Sequence, residues 1–227
     1  MIQVFVRHCY YSTNQDIPGR ERPVWFDKEK VYNNLINTID TDLAKINIIY
    51  DESRGSISQT FLKDTPAFIT NAGSEPTSIQ LSLDHIVSMD LDPETIIYFL
   101  EDDYVHRPGW CKIMLEAFNE TNADYVTLYD HRDKYSAPIV PFNPYLLYTS
   151  STHWTTVPYT TNTFAARFKT LVDDYLVHRE CASEDVQKFV ILSNTKQRKL
   201  ISPLPGYSTH CQANYLSPTI DWETLLG

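Results

Sequence analysis

The sequence predicts an α/β fold: a single domain with a mostly parallel central sheet flanked by helices. Three observations carry this reading. Strand and helix signals alternate through the first half of the chain, the pattern of βαβ units. The run Ile96-Ile97-Tyr98-Phe99-Leu100 has no polar alternation and reads as a strand buried on both faces. That strand ends in Glu101-Asp102-Asp103, and in open α/β sheets ligands bind outside the carboxyl ends of the strands.

The elements follow in order. Residues 2–6 read as the first strand. A loop rich in Pro, Gly and Arg (17–23) follows, and Asp27 can cap a helix whose apolar residues Val31, Leu35, Ile39 and Leu43 recur at i+4. Residues 46–50 read as the second strand, ending at Asp51; a helix over 56–62 is a weaker signal, and 67–69 forms a short strand. Pro76 suits the first turn of a helix with Ile79, Leu83, Ile86 and Val87 on one face. After the acidic strand come a helix over 109–118 and a strand over 125–128. The alternation then weakens. The three prolines of 138–144 predict loop, 154–157 a strand, and Phe164, Phe168, Leu171, Val172 and Tyr175 sit at helical spacing over 163–175. Ser183 can cap a helix over 184–191, and 202–222 reads as mostly irregular. The change near residue 130 predicts a change of role inside one domain, 1–227.

Composition narrows the function classes. The chain has 227 residues, 42% of them hydrophobic and 21% charged, which predicts a real core rather than disorder. A formal net charge of −10 and the lack of a basic run disfavour sequence-independent nucleic-acid binding. Cys9, Cys111, Cys181 and Cys211 are widely spread and make no C-x-x-C pair, which predicts free thiols. No apolar stretch suggests a signal peptide or transmembrane segment, and the expected location is cytoplasmic. No G-x-G-x-x-G, Walker loop or G-x-S-x-G occurs, which removes the usual dinucleotide oxidoreductases, P-loop kinases and serine hydrolases.

Acidic residues mark the candidate chemistry. Like charges packed together resist joint ionisation unless something positive sits among them, and for Glu101-Asp102-Asp103 a divalent cation is the obvious candidate. Alternation along a strand puts Glu101 and Asp103 on one face, able to hold Mg²⁺ or Mn²⁺, with Asp102 pointing away. Asp51 can accept hydrogen bonds from a base or ribose, or cap the next turn. Glu184 and Asp185 either complement a helix dipole or supply a general base. His210, late and loop-borne, can complete a metal sphere, contact phosphate, or be structural.

Taken in order, Glu101-Asp102-Asp103, Ser183-Glu184-Asp185 and His210 resemble the motifs of the GT-A (Rossmann-like) glycosyltransferases of the inverting, family-2-like kind. The likeness runs over nearly the whole chain, and Asn71-Ala72-Gly73 is similar to the segment ahead of that family's central helix. Two departures stand out: residues 160–164 lack the family's glycine, and Cys9-Tyr10-Tyr11-Ser12 replaces its usual Pro-Thr-Tyr-Asn strand ending. The resemblance implies Asp103 as the direct metal ligand, with Glu101 and His210 completing the metal set. It implies Asp185 as catalytic base with Glu184 orienting the acceptor. It also implies Asp51, Glu101, Asp102 and Arg7 on the nucleotide, residues 160–164 along the sugars, and 1–103 as the nucleotide-binding half with 104–227 as the acceptor-binding half. The expected activity is transfer of a sugar from a nucleotide-sugar donor, a UDP-sugar first of all, to a hydroxyl of a glycan or glycoconjugate. The alternatives are a sugar-phosphate nucleotidyltransferase and a non-catalytic carbohydrate-binding module of the same fold.

Overall fold

The structure is a computed structural model that describes residues 1–227 except 13–15, 137–138 and 227. In chain order the elements are β1 (Ile2–Cys9), α1 (Lys28–Thr38), β2 (Ala44–Asp51), β3 (Ala67–Thr70), α2 (Glu75–Ser88), β4 (Ile96–Glu101), β5 (Tyr104–His106), α3 (Trp110–Glu120) and β6 (Tyr125–Val126). They continue as β7 (Leu146–Tyr148), β8 (His153–Thr156), β9 (Phe164–Arg167), α4 (Phe168–Asp173), α5 (Tyr175–Glu180), α6 (Asp185–Lys196), β10 (Leu200–Leu204) and β11 (Ser208–His210). They divide into two compact units, neither a contiguous half of the sequence. The first is Met1–Tyr11, Ala44–Glu101 and Tyr159–Arg198; the second is Ser12–Leu43, Asp102–Pro158 and Lys199–Gly227.

The first unit holds a sheet in the order β3-β2-β1-β4-β9. The first four strands are parallel, and β9 runs antiparallel along β4, with Ile96 opposite Arg167 and Phe99 opposite Phe164. All five residues of Ile96-Ile97-Tyr98-Phe99-Leu100 are buried, as the unalternating run predicts. Each such side chain contributes about 1.5–3 kcal/mol of burial. The strand order reverses direction at β1: β2 lies on one side and β4 on the other. In such sheets the crevice at the carboxyl ends of those two strands is the ligand site. Helix α2 starts where Ser74 accepts from the Thr77 amide and Pro76 fills the first turn, and it buries Ile79, Leu83 and Ile86.

In the second unit β6, β10, β8 and β7 form one sheet, and β11 and β5 pair antiparallel. Helix α1 is capped by Asp27, which accepts from the Lys30 amide at 2.9 Å. Its apolar face stops earlier than expected. The helix ends at Thr38 because Asp40 turns the chain, accepting from the Asp42 amide, so Ile39 and Leu43 lie beyond it. Gly109, with φ of 85°, makes the left-handed turn into α3 that a side chain would strain.

Several local expectations are corrected. The helix over 163–175 begins only at Phe168; Phe164–Arg167 is strand β9, because the edge of β4 offers backbone partners that helical spacing cannot announce. Residues 56–62 form a short 3₁₀ turn, Ile57–Gln59, instead of an α-helix. The residue that precedes α6 is Glu184, not Ser183, and no side chain caps it. The tail over 202–222 is mostly irregular, as expected, but two short strands cross it: β10 runs from Leu200 to Leu204 through Pro203, and β11 follows. The loop expected over 138–144 starts at Pro138, which lies outside the described residues. No helix among the described residues is long and apolar enough to cross a membrane.

Candidate active site

In the first unit, the candidate residues gather at the carboxyl ends of the central strands. Parallel register sets Arg7 of β1 opposite Glu101 of β4, and Cys9 opposite Asp51 of β2. The Arg7 guanidinium lies 5.3 Å from the centre of the Phe99 ring, and its buried Nε and Nη1 have no hydrogen-bond partner. Glu101 is held at both ends by Thr163: its amide donates to Thr163 Oγ1 at 3.2 Å, and that hydroxyl donates to Glu101 Oε2 at 3.3 Å. Asp51 Oδ1 accepts from the Ser53 and Ala72 amides, each at 3.0 Å. It therefore ties the turn after β2 to the segment before α2, the capping role that its sequence position allowed.

Asp185 opens α6, and Glu184 before it is exposed. One turn on, Lys188 is 1% exposed. Its ammonium donates to Asn162 Oδ1 and to the Ala182 carbonyl, the latter at 2.9 Å. Burial lowers the Lys188 pKa to about 8; Asp185 and Glu101 pull it back up, and Arg7 pushes it further down. Those electrostatic couplings place Arg7, Glu101, Asp185 and Lys188 in one cluster within the first unit. Sequence reading missed Lys188. The available signal was a lysine three residues after Asp185, on the same buried helix stripe as Phe189 and Leu192.

The second unit begins with the other two acids. β4 ends at Glu101, so Asp102 and Asp103 form a turn into β5 and strand alternation no longer governs where they point. Each acid has its own basic partner. Lys28 Nζ lies 2.6 Å from Asp102 Oδ2, and Arg22 Nη2 lies 2.7 Å from Asp103 Oδ2. The β5–β11 ladder sets His210 opposite Tyr104, with the rings stacked at 5.1 Å, and brings His210 Nε2 within 3.1 Å of the same Asp103 oxygen. Burial alone would raise the Asp103 pKa; His210 and Arg22 outweigh it and hold the carboxyl well below the usual range.

The expected metal donors can be tested against this geometry. Glu101 falls in the first unit; Asp103 and His210 come together in the second. Asp103 Oδ1 is buried without a hydrogen-bond partner, but Oδ2 already faces a guanidinium and an imidazole. A divalent ion would have to approach a carboxylate whose charge Arg22 has neutralised. Among the described residues no three His, Cys, Asp or Glu side chains are grouped to hold a metal ion. As arranged, the donor set does not fit a divalent cation. Sequence reading also missed Arg22 and Lys28; Arg22 lay in plain view as one of two arginines in the loop over 17–23.

No protein-family model matches the sequence, and no curated protein matches it. Among solved structures, the chain is similar to a crystal structure of S. aureus TarS, residues 1–349. Identity there is 13% and the TM-score 0.48, over 88% of this chain and 57% of that one. The chain thus spans little more than half of that fragment, and a likeness at this level carries no argument. It is also similar to CMP:2-keto-3-deoxy-manno-octonic acid synthetase complexed with CTP. That match has 12% identity and a TM-score of 0.52, over 90% of this chain and 92% of that one. At such identity the likeness concerns the fold alone. With the parallel β3-β2-β1-β4 order, it establishes a GT-A-like, Rossmann-type α/β fold for this chain.

Proposed function

We propose that the chain is an inverting glycosyltransferase that moves a sugar from a nucleotide-sugar donor, of the UDP-sugar kind, to a hydroxyl acceptor on a glycan or glycoconjugate. The observation that carries this reading is the cluster of Arg7, Glu101, Asp185 and Lys188 in the unit whose strand order reverses beside β1. A half-buried arginine whose Nε and Nη1 have no hydrogen-bond partner among the described residues suits an anionic phosphate, which Arg can grip through two parallel hydrogen bonds. Acid and base groups stand close by, as transfer to a hydroxyl requires.

The acceptor oxygen attacks the anomeric carbon from the face opposite the leaving group, and a new carbon–oxygen bond forms. The bond from that carbon to the diphosphate oxygen breaks, and its electron pair leaves with the diphosphate. Asp185 takes the acceptor's proton. The Arg7 guanidinium stabilises the charge that develops on the leaving phosphate, an effect commonly worth about a hundredfold or more in rate. The Lys188 ammonium, held by Asn162 and Ala182, favours the ionised form of its acidic neighbours until they take up a proton.

Asp185→Asn is expected to lower transfer by about a hundredfold or more while UDP-sugar binding survives, because the amide keeps the shape and loses the base. Calorimetry with the donor and release of UDP on acceptor addition check the two halves. Wild-type turnover in this variant would remove Asp185 from the base role.

A second reading, a sugar-phosphate nucleotidyltransferase, is favoured by the shared fold with a synthetase solved with CTP bound. Pyrophosphate release from CTP or UTP in the presence of a sugar acid or sugar phosphate, with no cleavage of UDP-sugars, would replace the first reading with this one.

A further inference from the structure

We propose that Arg22 is the resident cation of the Asp103 site, so that its guanidinium stands where a divalent ion was expected and nucleotide binding proceeds without metal. The nucleotide half of this statement rests on the function proposed above; the cation half stands on the second unit alone.

An acidic triplet needs positive charge nearby to stay ionised. The structure supplies it from the protein: Lys28 to Asp102 at 2.6 Å, and Arg22 to Asp103 at 2.7 Å. The electrostatic reason for recruiting a metal at Asp102 and Asp103 is thereby already met.

Arg22 is also built in. Its Nη1 donates to the Cys211 carbonyl at 2.8 Å, and its guanidinium lies 4.9 Å from the Phe26 ring centre. Phe26 in turn packs against the core made by Val31, Val105, Cys211 and Trp222. The backbone around Arg22 is tied down too. The Ala213 amide donates to the Glu21 carbonyl at 2.8 Å, and the Gln212 side chain donates to the Gly19 carbonyl at 3.1 Å. A metal would have to break the ion pair and pull Arg22 from a carbonyl and a ring that already hold it. Taking one partner from such a buried pair is strongly unfavourable. The planar fork of arginine also leaves Nε, which is buried and has no hydrogen-bond partner.

The test uses the whole chain and Mn²⁺ alone as first probe, read by electron paramagnetic resonance. Wild type is expected to show no Mn²⁺ site that Asp103→Asn removes. A stoichiometric site in wild type that is lost in Asp103→Asn would overturn the proposal. The second arm measures UDP affinity with chelator and with Mn²⁺. The expected values agree within about twofold, and a gain of about tenfold or more with Mn²⁺ would overturn the proposal. Arg22→Gln is expected to open an Mn²⁺ site at Asp103, read by the same resonance signal, and Arg22→Lys to stay free of Mn²⁺. The UDP arm uses wild type alone and decides the question even where a variant fails to fold. If no nucleotide binds under any condition, the glycosyltransferase reading fails, and the Mn²⁺ arm still judges Arg22.

Discussion

Lys188 is the residue whose environment departs most from what its side chain prefers. It is a cation with almost no exposure, and burial brings its pKa down from 10.5 to about 8. The linkage has a definite sign. Between pH 8 and 10.5 the unfolded chain holds this proton more than the folded one, so stability rises with pH across that window. The cost of the buried charge, on the order of 3 kcal/mol, is fully present below pH 8 and gone above 10.5. Lys188→Met should remove this rise, measured as the urea midpoint of variant and wild type at several pH values. An equal slope in both would show that Lys188 titrates normally. The residue scale is also where sequence reading was most mixed. The acids were legible because three in a row after an apolar strand are conspicuous. Their partners Arg22, Lys28 and Lys188 were not, because a cation's partner is set by tertiary contact and not by neighbours in sequence.

Elements were legible where local rules agree. Asp27 and Pro76 were followed by helical spacing, and α1 and α2 start beside them. Residues 164–167 show the opposite. Their apolar spacing continues into α4, but the open edge of β4 recruits them as a strand, since buried backbone groups need partners. β7 was not anticipated, and β10 carries a proline that argued for loop. β10 pairs with β8 from far along the chain; β7, only three residues long, pairs with it as a local hairpin. The capping assignments give a paired test. Asp27→Ala should cost about 1 kcal/mol of stability, because the Lys30 amide loses its acceptor. Ser183→Ala should cost nothing measurable by chemical denaturation, because that serine caps no helix. A loss of equal size at Ser183 would restore it as the cap of α6.

For the molecule as a whole, two neutral histidines set the response to acid. His106 in the second unit and His178 in the first are fully buried, and burial lowers each pKa from 6.5 to about 3. The stability they permit is present above pH 6.5 and is lost as pH falls toward 3, because the unfolded chain takes up protons that the folded chain refuses. Each ring should steepen the loss by about 1.4 kcal/mol per pH unit. Denaturant midpoints from neutral pH downward should fall less steeply in His106→Gln and in His178→Phe than in wild type. Unchanged slopes would mean that the rings titrate in the folded protein. The parallel strands and the acidic edge of β4 were readable at this scale, since long apolar runs and alternation survive any tertiary arrangement. The division into units was not, because it follows contacts between segments far apart in the chain.

That division has a consequence for how the protein can be made. The chain passes from one unit to the other five times, at 11/12, 43/44, 101/102, 158/159 and 198/199. Domains ordinarily fold as units while the chain emerges from the ribosome, amino-terminal part first. Here the first unit lacks β9 and α6 until residue 196 has been synthesised, and the second lacks β10 and β11 until residue 210. Neither can close early and template the other. The newborn chain must instead leave the edge of β4 unpaired until Phe164–Arg167 emerges, and Asp103 without His210 until β11 does.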